Sequence, residues 1–163
     1  MIRVMRHDDI QALHEGFKAQ GWHKPVSLFE GYLKDQETGI RTVWVAEKDG
    51  RVLGYGTLLH KAAEGPFAGR YPMIIDLNVL QADQGKGTGT ALMAALETQA
   101  KTMADAVVLA LGMHPGYGHA QRLYVKRGYV PDGSGLWYQG RPLPEHEKAV
   151  NDDDLVLHLI KDV

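Results

Sequence analysis

The stretch LQADQGKGTGTALM, from Leu80 to Met93, decides how this chain folds. It follows an apolar run, Met73–Leu80, that predicts a buried strand, and it leads into Gly87–Met103, where apolar residues recur at helical spacing. Glycine and threonine crowd the junction between the two: Gly85, Gly87, Thr88, Gly89 and Thr90. A turn so poor in bulky side chains indicates that a ligand approaches its backbone closely.

A turn between a strand and the start of a helix directs several unpaired backbone N–H groups at one spot. The helix dipole adds partial positive charge there, so the spot favours an anion, most commonly a phosphate. Lys86 adds a mobile positive charge, and the hydroxyls of Thr88 and Thr90 add hydrogen-bond donors. The sequence therefore predicts a phosphate-binding turn at Gln84–Thr90.

Two familiar phosphate-binding motifs do not fit this spacing. A Walker A loop needs a glycine five positions before Gly-Lys-Ser/Thr, whereas Gly85-Lys86 is preceded at that distance by Leu80 and followed by Gly87. A dinucleotide-binding Gly-x-Gly-x-x-Gly that begins at Gly85 needs a glycine at the position of Thr90. The turn belongs to neither class.

Composition excludes several other functions. The 163 residues, 44% of them hydrophobic, are typical of one globular domain, 1–163. A net charge of -2 gives no basic surface, so we expect no nucleic-acid partner. Without cysteine there are no disulfides or thiolate sites, and the eight histidines lack metal-binding spacing, so we expect no metal. No signal peptide and no apolar stretch of roughly 18 residues is found, which predicts a cytoplasmic protein without membrane association.

Periodicity and turn residues predict four helices and seven strands, with an Asp-Gly hairpin at Lys48–Gly50. We expect an α/β (mixed α+β) protein whose central sheet, mixed but mostly antiparallel, has about six to seven strands and about four flanking helices. Three helices are predicted from Asp8 or Asp9 to Gly21, from Ser27 to Gly39, and over Gly87–Met103. A short fourth helix is predicted between the Gly-Pro-rich break at Gly112–Gly118 and Arg127. The strands are predicted at Ile2–Met5, Arg41–Glu47, Val52–His60, Met73–Leu80, Ala106–Gly112, Tyr129–Tyr138 and Leu155–Lys161.

Two segments resemble the GNAT superfamily of N-acetyltransferases. Gln84–Gly89 is similar to its Gln/Arg-x-x-Gly-x-Gly/Ala loop, which binds the pyrophosphate of acyl-coenzyme A. His119–Tyr129, HAQRLYVKRGY, is similar to its Ala-x-x-Leu-Tyr-x-Lys-x-Gly-Phe/Tyr segment. One predicted helix and one strand separate the two segments, as in the family. The resemblance implies a three-layer GNAT fold and an enzyme that transfers an acetyl group from acetyl-CoA to an amine.

The resemblance also implies which residues contact acetyl-CoA. They belong to the end of the strand, the glycine turn and the second motif. Tyr117 departs from the family, because many members have asparagine three residues before the motif alanine. The tyrosine ring is predicted instead to stack on the pantetheine arm or to form a wall beside it. The expected contacts are Leu77, Val79, Leu80, Gln84, Gly85, Lys86, Gly87, Thr88, Gly89, Thr90, Tyr117 and Tyr124.

Catalysis by direct attack of an amine on the thioester needs three groups. By resemblance, Tyr124 is the proton donor to the leaving thiolate; the alternative is a tyrosine that only packs in the core. A backbone N–H at a strand bulge, placed near Val79, is the donor to the acyl oxygen. Asp76 is the candidate general base, unless its carboxylate is hydrogen-bonded within the fold. Four polar residues near strand ends or in loops are weaker candidates for the general base: His60, Glu64, His114 and His119.

The acceptor is predicted only as a small-molecule or peptide amine. Trp22 and His23 lie between the first two helices, where substrate choice is expected, unless these aromatic residues only close the core. Asp152–Asp154 is either a solvated strand end or a run that attracts a cationic acceptor. Two alternatives remain: a non-catalytic acyl-CoA-binding sensor, and an acyltransferase that uses a longer acyl-CoA. The resemblance also makes a homodimer possible.

Overall fold

Eight strands form one sheet, with four helices packed on its faces, in the computed structural model, which describes residues 1–163. The strands are β1 (Ile2–Val4), β2 (Arg41–Lys48), β3 (Arg51–Leu59), β4 (Met73–Val79), β5 (Ala106–Gly112), β6 (Val130–Tyr138), β7 (Arg141–Pro142) and β8 (Leu155–Asp162). The helices are α1 (Asp9–Ala19), α2 (Val26–Glu37), α3 (Thr88–Ala100) and α4 (Gly118–Lys126). The predicted fold class is confirmed, with one correction: the sheet has eight strands because the two-residue strand β7, too short to show a period, extends one edge.

The strand order is β1-β2-β3-β4-β5-β8-β6-β7. Only β4 and β5 run parallel, and every other neighbouring pair is antiparallel, as the alternation of hairpins and crossovers predicted. The predicted hairpin between β2 and β3 is confirmed: Asp49 and Gly50 both have positive φ, 51° and 76°, which a tight two-residue turn requires. The α3 helix crosses over between the parallel pair β4 and β5.

The sheet separates two hydrophobic cores. On one face, α1 and α2 bury Phe17 and Phe29 against Val43 of β2. On the other face, α3 and α4 cover a second cluster, in which Leu96 of α3 packs with Leu109 of β5. A layer of helices on each side of one sheet is the three-layer arrangement that the resemblance implied. None of the four helices combines the length and the apolar composition needed to cross a membrane.

Candidate active site

A cleft opens where the two parallel strands separate. β4 and β5 are paired only at Met73 with Val108 and at Ile74 with Leu109, and beyond these pairs the strands diverge. The resulting cleft has a volume of about 700 Å³, within the range of small-molecule sites. Its walls come mainly from β4, from Met73 to Asn78, together with the end of β5 and the start of α4. It therefore lies at the carboxyl ends of parallel strands, where ligands of α/β proteins commonly bind.

A bulge shapes the β4 side of the cleft. Tyr55 pairs with Asn78 but Thr57 pairs with Ile75, so β4 carries one residue more than β3 over this interval. Asp76 takes up the difference with φ of 56°, a left-handed conformation that aspartate tolerates better than most residues. The prediction that placed the bulge near Val79 is corrected: Val79 pairs regularly with Gly54, and the bulge lies at Asp76 and Leu77.

Gly54 on β3 permits an unusually close approach of β4. A Cβ atom at this position would lie 2.5 Å from the carbonyl oxygen of Asn78 and 2.8 Å from the Cα of Val79. Real Cβ atoms do not approach backbone this closely, so any other residue would push β4 away from β3. The glycine thus fixes the position of the strand that forms one wall of the cleft.

The glycine turn presents unpaired donors beside this cleft. After a single turn of 3-10 helix at Gln81–Asp83, the chain reaches Gly87, which caps α3 with φ of 85°. None of the six backbone N–H groups from Gly85 to Thr90 donates to a backbone carbonyl. Since α3 also directs the positive end of its dipole here, the turn has the free donors and the partial positive charge that favour an anion.

Asp83, just before the glycine turn, is fixed by an ion pair with Arg51 that the sequence did not predict. Its carboxylate, with the residue only 4% exposed, accepts two hydrogen bonds of 2.8 Å from Arg51. The pKa of Asp83 is lowered, chiefly by these bonds from Arg51. The Lys86 ammonium group lies 3.7 Å from the same carboxylate and donates to the Ala82 carbonyl at 2.5 Å. The arginine comes from the β2–β3 hairpin, which is why a local pattern could not reveal the pair.

Gln84 and Leu80 differ in what they offer a ligand. The Gln84 side chain donates to the Val79 carbonyl at 3.0 Å and is otherwise exposed. Leu80 packs its side chain against Gly16 of α1, and its N–H donates to the Leu53 carbonyl at 2.8 Å. The side chain of Leu80 therefore packs towards the α1 core, and its backbone carbonyl accepts from the Asp83 N–H at 2.8 Å.

Two tyrosines of the second motif region line the cleft. Tyr124 is only 8% exposed and packs in the α3/α4 core beside Tyr129, with ring centroids 5.8 Å apart. No hydrogen bond holds its hydroxyl, and burial raises the pKa of Tyr124 to about 12. The Tyr117 ring lies directly on the backbone of Gly112, leaving no room for a Cβ there. Tyr117 forms a wall of the cleft, and Tyr124 adds a proton-bearing group to it.

His114 and Asp153 form a pair at the same opening. The Gly116 N–H donates to His114 Nδ1 at 3.0 Å, so in the neutral ring the proton sits on Nε2, which lies 2.7 Å from an Asp153 oxygen. The ring also contacts Tyr117 edge-on, with centroids 4.7 Å apart. With both nitrogens engaged, His114 has no free lone pair for an acceptor amine.

The Asp76 carboxylate is the centre of a buried hydrogen-bond network. It accepts bonds from Lys24 Nζ at 2.7 Å, Tyr32 Oη at 2.8 Å, Tyr55 Oη at 2.5 Å and Asn78 Nδ2 at 2.6 Å. Burial alone would raise the pKa of Asp76, but the Lys24 ammonium and the hydrogen bonds outweigh it and hold the pKa below its ordinary value. The network ties the α1–α2 connection and α2 to the bulge. Lys24 and Tyr32 were not singled out as site residues, because their contact with Asp76 is long-range.

The remaining polar candidates are scattered. His60 is bonded to Thr42 at 2.9 Å, and His119 is exposed on α4, outside the cleft lining. Glu64, in contrast, does line the cleft. No group of three or more histidine or carboxylate side chains is placed to hold a metal ion.

Comparison with known proteins points to one family. The model of the acetyltransferase (GNAT) family matches residues 8–129. The fold is similar to that of a ribosomal-protein-alanine N-acetyltransferase from Brucella melitensis, with a TM-score of 0.72 at 18% identity over 100% of this chain and 99% of the other. It is also similar to yncA of Salmonella typhimurium, described as an acetyltransferase and solved with its cofactor acetyl-CoA: TM-score 0.71, 20% identity, 99% and 92% coverage. Curated protein sequences give no significant match.

Proposed function

The chain belongs to the acetyltransferase (GNAT) family, and we propose that it transfers the acetyl group of acetyl-CoA to an amine by direct attack on the thioester. One observation carries this proposal: six unpaired N–H groups follow the end of β4, where Gly89 lies next to Val79 and Leu123, and the unbonded Tyr124 hydroxyl lies in the cleft between β4 and β5. The first set suits a pyrophosphate and the second suits a sulfur leaving group. Their combination favours a coenzyme A thioester over a simple phosphate ligand.

The glycine turn fits the diphosphate of the coenzyme. Gly85 and Gly87 have φ of 71° and 85°, and no heavy atom lies within 4 Å of where their Cβ atoms would be. The space above the turn is therefore free for phosphate oxygens, which would accept from the N–H groups of Gly85 to Thr90. Lys86 adds a cation at the rim of the turn. When bound, acetyl-CoA supplies the activated acetyl group that the amine attacks.

Two backbone N–H groups of β4 suit the acyl oxygen and the pantetheine amides. Leu80 donates its N–H towards β3, and residues of a strand alternate in the direction of their N–H groups. Leu77 and Val79 therefore direct theirs towards the gap beside β5. We assign the donor to the acyl oxygen to Leu77, because it lies at the bulge, and the pantetheine contact to Val79.

The transfer is balanced by two proton movements. As the new N–C bond forms, the C–S bond breaks; the amine loses one proton and the sulfur receives one. Tyr124 remains protonated at neutral pH, since its pKa is about 12, and is the proposed donor to the sulfur. The proton of the amine leaves towards solvent at the mouth of the cleft.

Asp76 was predicted as the base, and the network favours a positioning role instead. Its oxygens already accept four hydrogen bonds, and taking up a proton would disrupt at least one of them. A carboxylate with a lowered pKa is also a weak base. We propose that Asp76 holds Lys24 and the bulge in place.

Replacement Asp76→Asn tests this role. Because the folded-state pKa lies below the unfolded value, the carboxylate stabilises the protein above pH 3.8, and the contribution is lost as pH falls through the lower folded value. At neutral pH we expect the variant to lose about 3 kcal/mol of unfolding free energy, because Lys24 is left without its partner. Urea denaturation measures this loss, and the pH dependence of kcat/KM should keep its native shape. Disappearance of the acidic limb of that profile would instead identify Asp76 as the base.

The proposed activity is tested by titrating the protein with acetyl-CoA in a calorimeter and assaying acetylation of primary amines by mass spectrometry. We expect saturable one-site binding and an acetylated amine. Binding without turnover of any amine would favour the acyl-CoA sensor, and preference for a longer acyl chain would favour the other acyltransferase. If acetyl-CoA does not bind at millimolar concentration, the proposal fails.

A further inference from the structure

The cleft passes through the sheet from one helical layer to the other. Tyr124 lies in the α3/α4 core, on the side of the glycine turn. On the opposite side, the connection between α1 and α2 contributes Trp22 and Lys24 to the lining. A ligand bound to the glycine turn therefore reaches the cleft from one face and leaves the other face for the acceptor.

Glu64 belongs to the acceptor face. Its loop, between β3 and β4, packs through Ala62 against Leu59 of β3. Leu59 shares a face of β3 with Tyr55, since the two are four residues apart, and Tyr55 packs in the α1/α2 core. The loop thus covers the same face as α1 and α2, and its Glu64 carboxylate lines the cleft there, beside Gly140.

The charge of Glu64 is not neutralised by the protein. Glu64 takes part in none of the ion pairs of the chain. Lys24, the one lysine or arginine in the lining, is paired with Asp76 at 2.7 Å. His158 packs against Gly65, but burial lowers its pKa, so the ring is neutral at neutral pH.

Asp153 adds a further negative charge to the opening of the cleft. Asp153 lines the cleft with its oxygen 2.7 Å from His114 Nε2, and together with Glu64 and Asp76 it gives the lining three carboxylates, against the single ammonium of Lys24. The mouth is therefore negative towards an incoming substrate. The same cleft contains the Tyr124 hydroxyl, which has no hydrogen-bond partner although the residue is 8% exposed. An unpaired carboxylate and an unpaired proton donor in one cleft suit a ligand with a cationic end and a reacting end.

We propose that Glu64 binds a second cationic group of the acceptor, so that the preferred substrates are amines that carry another positive charge, such as diamines. The inference rests on the proposed acetyl transfer and specifies its acceptor. Attraction between the cation and the mouth raises the encounter rate and orients the other amine towards the thioester. Because Glu64 is exposed, the effect is modest and weakens with salt.

The experiment compares 1,4-diaminobutane with n-pentylamine, in which a methyl group replaces the second ammonium at the same chain length. At low salt, we expect the native enzyme to prefer the diamine by about fivefold in kcat/KM. In Glu64→Gln this ratio should fall towards one, mainly through a higher KM for the diamine, while n-pentylamine is acetylated as before. Glu147→Gln, an exposed glutamate outside the cleft lining, removes the same charge and should keep the preference.

Each other outcome overturns the inference. A native enzyme without preference, a preference that survives in Glu64→Gln, or an equal loss in Glu147→Gln would each show that Glu64 does not select the acceptor. Turnover of neither amine by protein that binds acetyl-CoA would exclude this substrate class. Failure to bind acetyl-CoA at all is a separate result, which would remove the proposed function itself.

Discussion

Replacing Tyr124 by phenylalanine is expected to lower kcat about 100-fold, equivalent to about 2.7 kcal/mol of transition-state stabilisation. The substitution removes only a hydroxyl that makes no hydrogen bond within the protein, so packing and unfolding free energy should change little. The dissociation constant for acetyl-CoA should also stay near the native value, because the donor acts on sulfur only as the C–S bond breaks. Steady-state kinetics, calorimetry and urea denaturation measure the three quantities separately.

The pH dependence of the rate is also expected to reflect Tyr124. Burial raises the pKa of Tyr124 to about 12, so the acid form persists far into the alkaline range. Loss of this proton should therefore not limit the rate at neutral or mildly alkaline pH.

Tyr129→Phe is the matched control. Tyr129 is a buried tyrosine of the same core cluster, next to Tyr124, but its side chain does not line the cleft. We expect this variant to keep native kcat. If both variants lose activity equally, the effect is one of core packing, and Tyr124 is then the structural tyrosine that its helical position also permits.

Replacing Gly89 by tryptophan is expected to weaken acetyl-CoA binding more than about 100-fold. A Cβ atom at Gly89 would lie 3.7 Å from Leu123 and 3.9 Å from Val79, which is ordinary contact, so the start of the side chain is accommodated. An indole ring beyond it has to enter the space beside the glycine turn and Val79. Phosphate oxygens would then lose several charge-assisted hydrogen bonds, each contributing about 1.5–3 kcal/mol. Calorimetric titration measures the loss.

Gly31→Trp supplies the comparison for this change. Gly31 is also a helical glycine, exposed on α2, with nothing within 4 Å of its Cβ position. The control should bind acetyl-CoA like the native protein, and circular dichroism should show that both variants are folded. Native affinity in Gly89→Trp would place the coenzyme elsewhere and remove the turn as its binding site.

Much of the fold follows from local patterns. The Asp49-Gly50 hairpin was predictable because two positive φ values in succession favour this residue pair. The layers of helices were predictable because apolar residues repeat at helical spacing, as in α1, where Leu13 and Phe17 are buried. The two-residue strand β7 was missed, since a segment that short has no period to detect.

In the candidate site, too, the parts formed by neighbouring residues were predictable and the parts formed by distant residues were not. The turn at Gln84–Thr90 is contiguous in sequence, and its unpaired donors arise from the chemistry of a helix start, which operates wherever such a turn occurs. Asp76 shows the opposite case. Its environment comes from Lys24, Tyr32 and Tyr55, which lie 52, 44 and 21 residues away in the chain.

The sequence by itself determined that a strand, a glycine turn and a helix follow one another and leave backbone donors free, because that property depends on neighbouring residues alone. Only the tertiary structure decided that the bulge lies at Asp76 and Leu77 rather than near Val79, and that Leu80 packs towards α1. It also decided that Glu64 reaches the cleft unpaired while Lys24 is neutralised. Strand register, side-chain facing and ion pairing depend on which distant segments meet, and no local pattern carries that information.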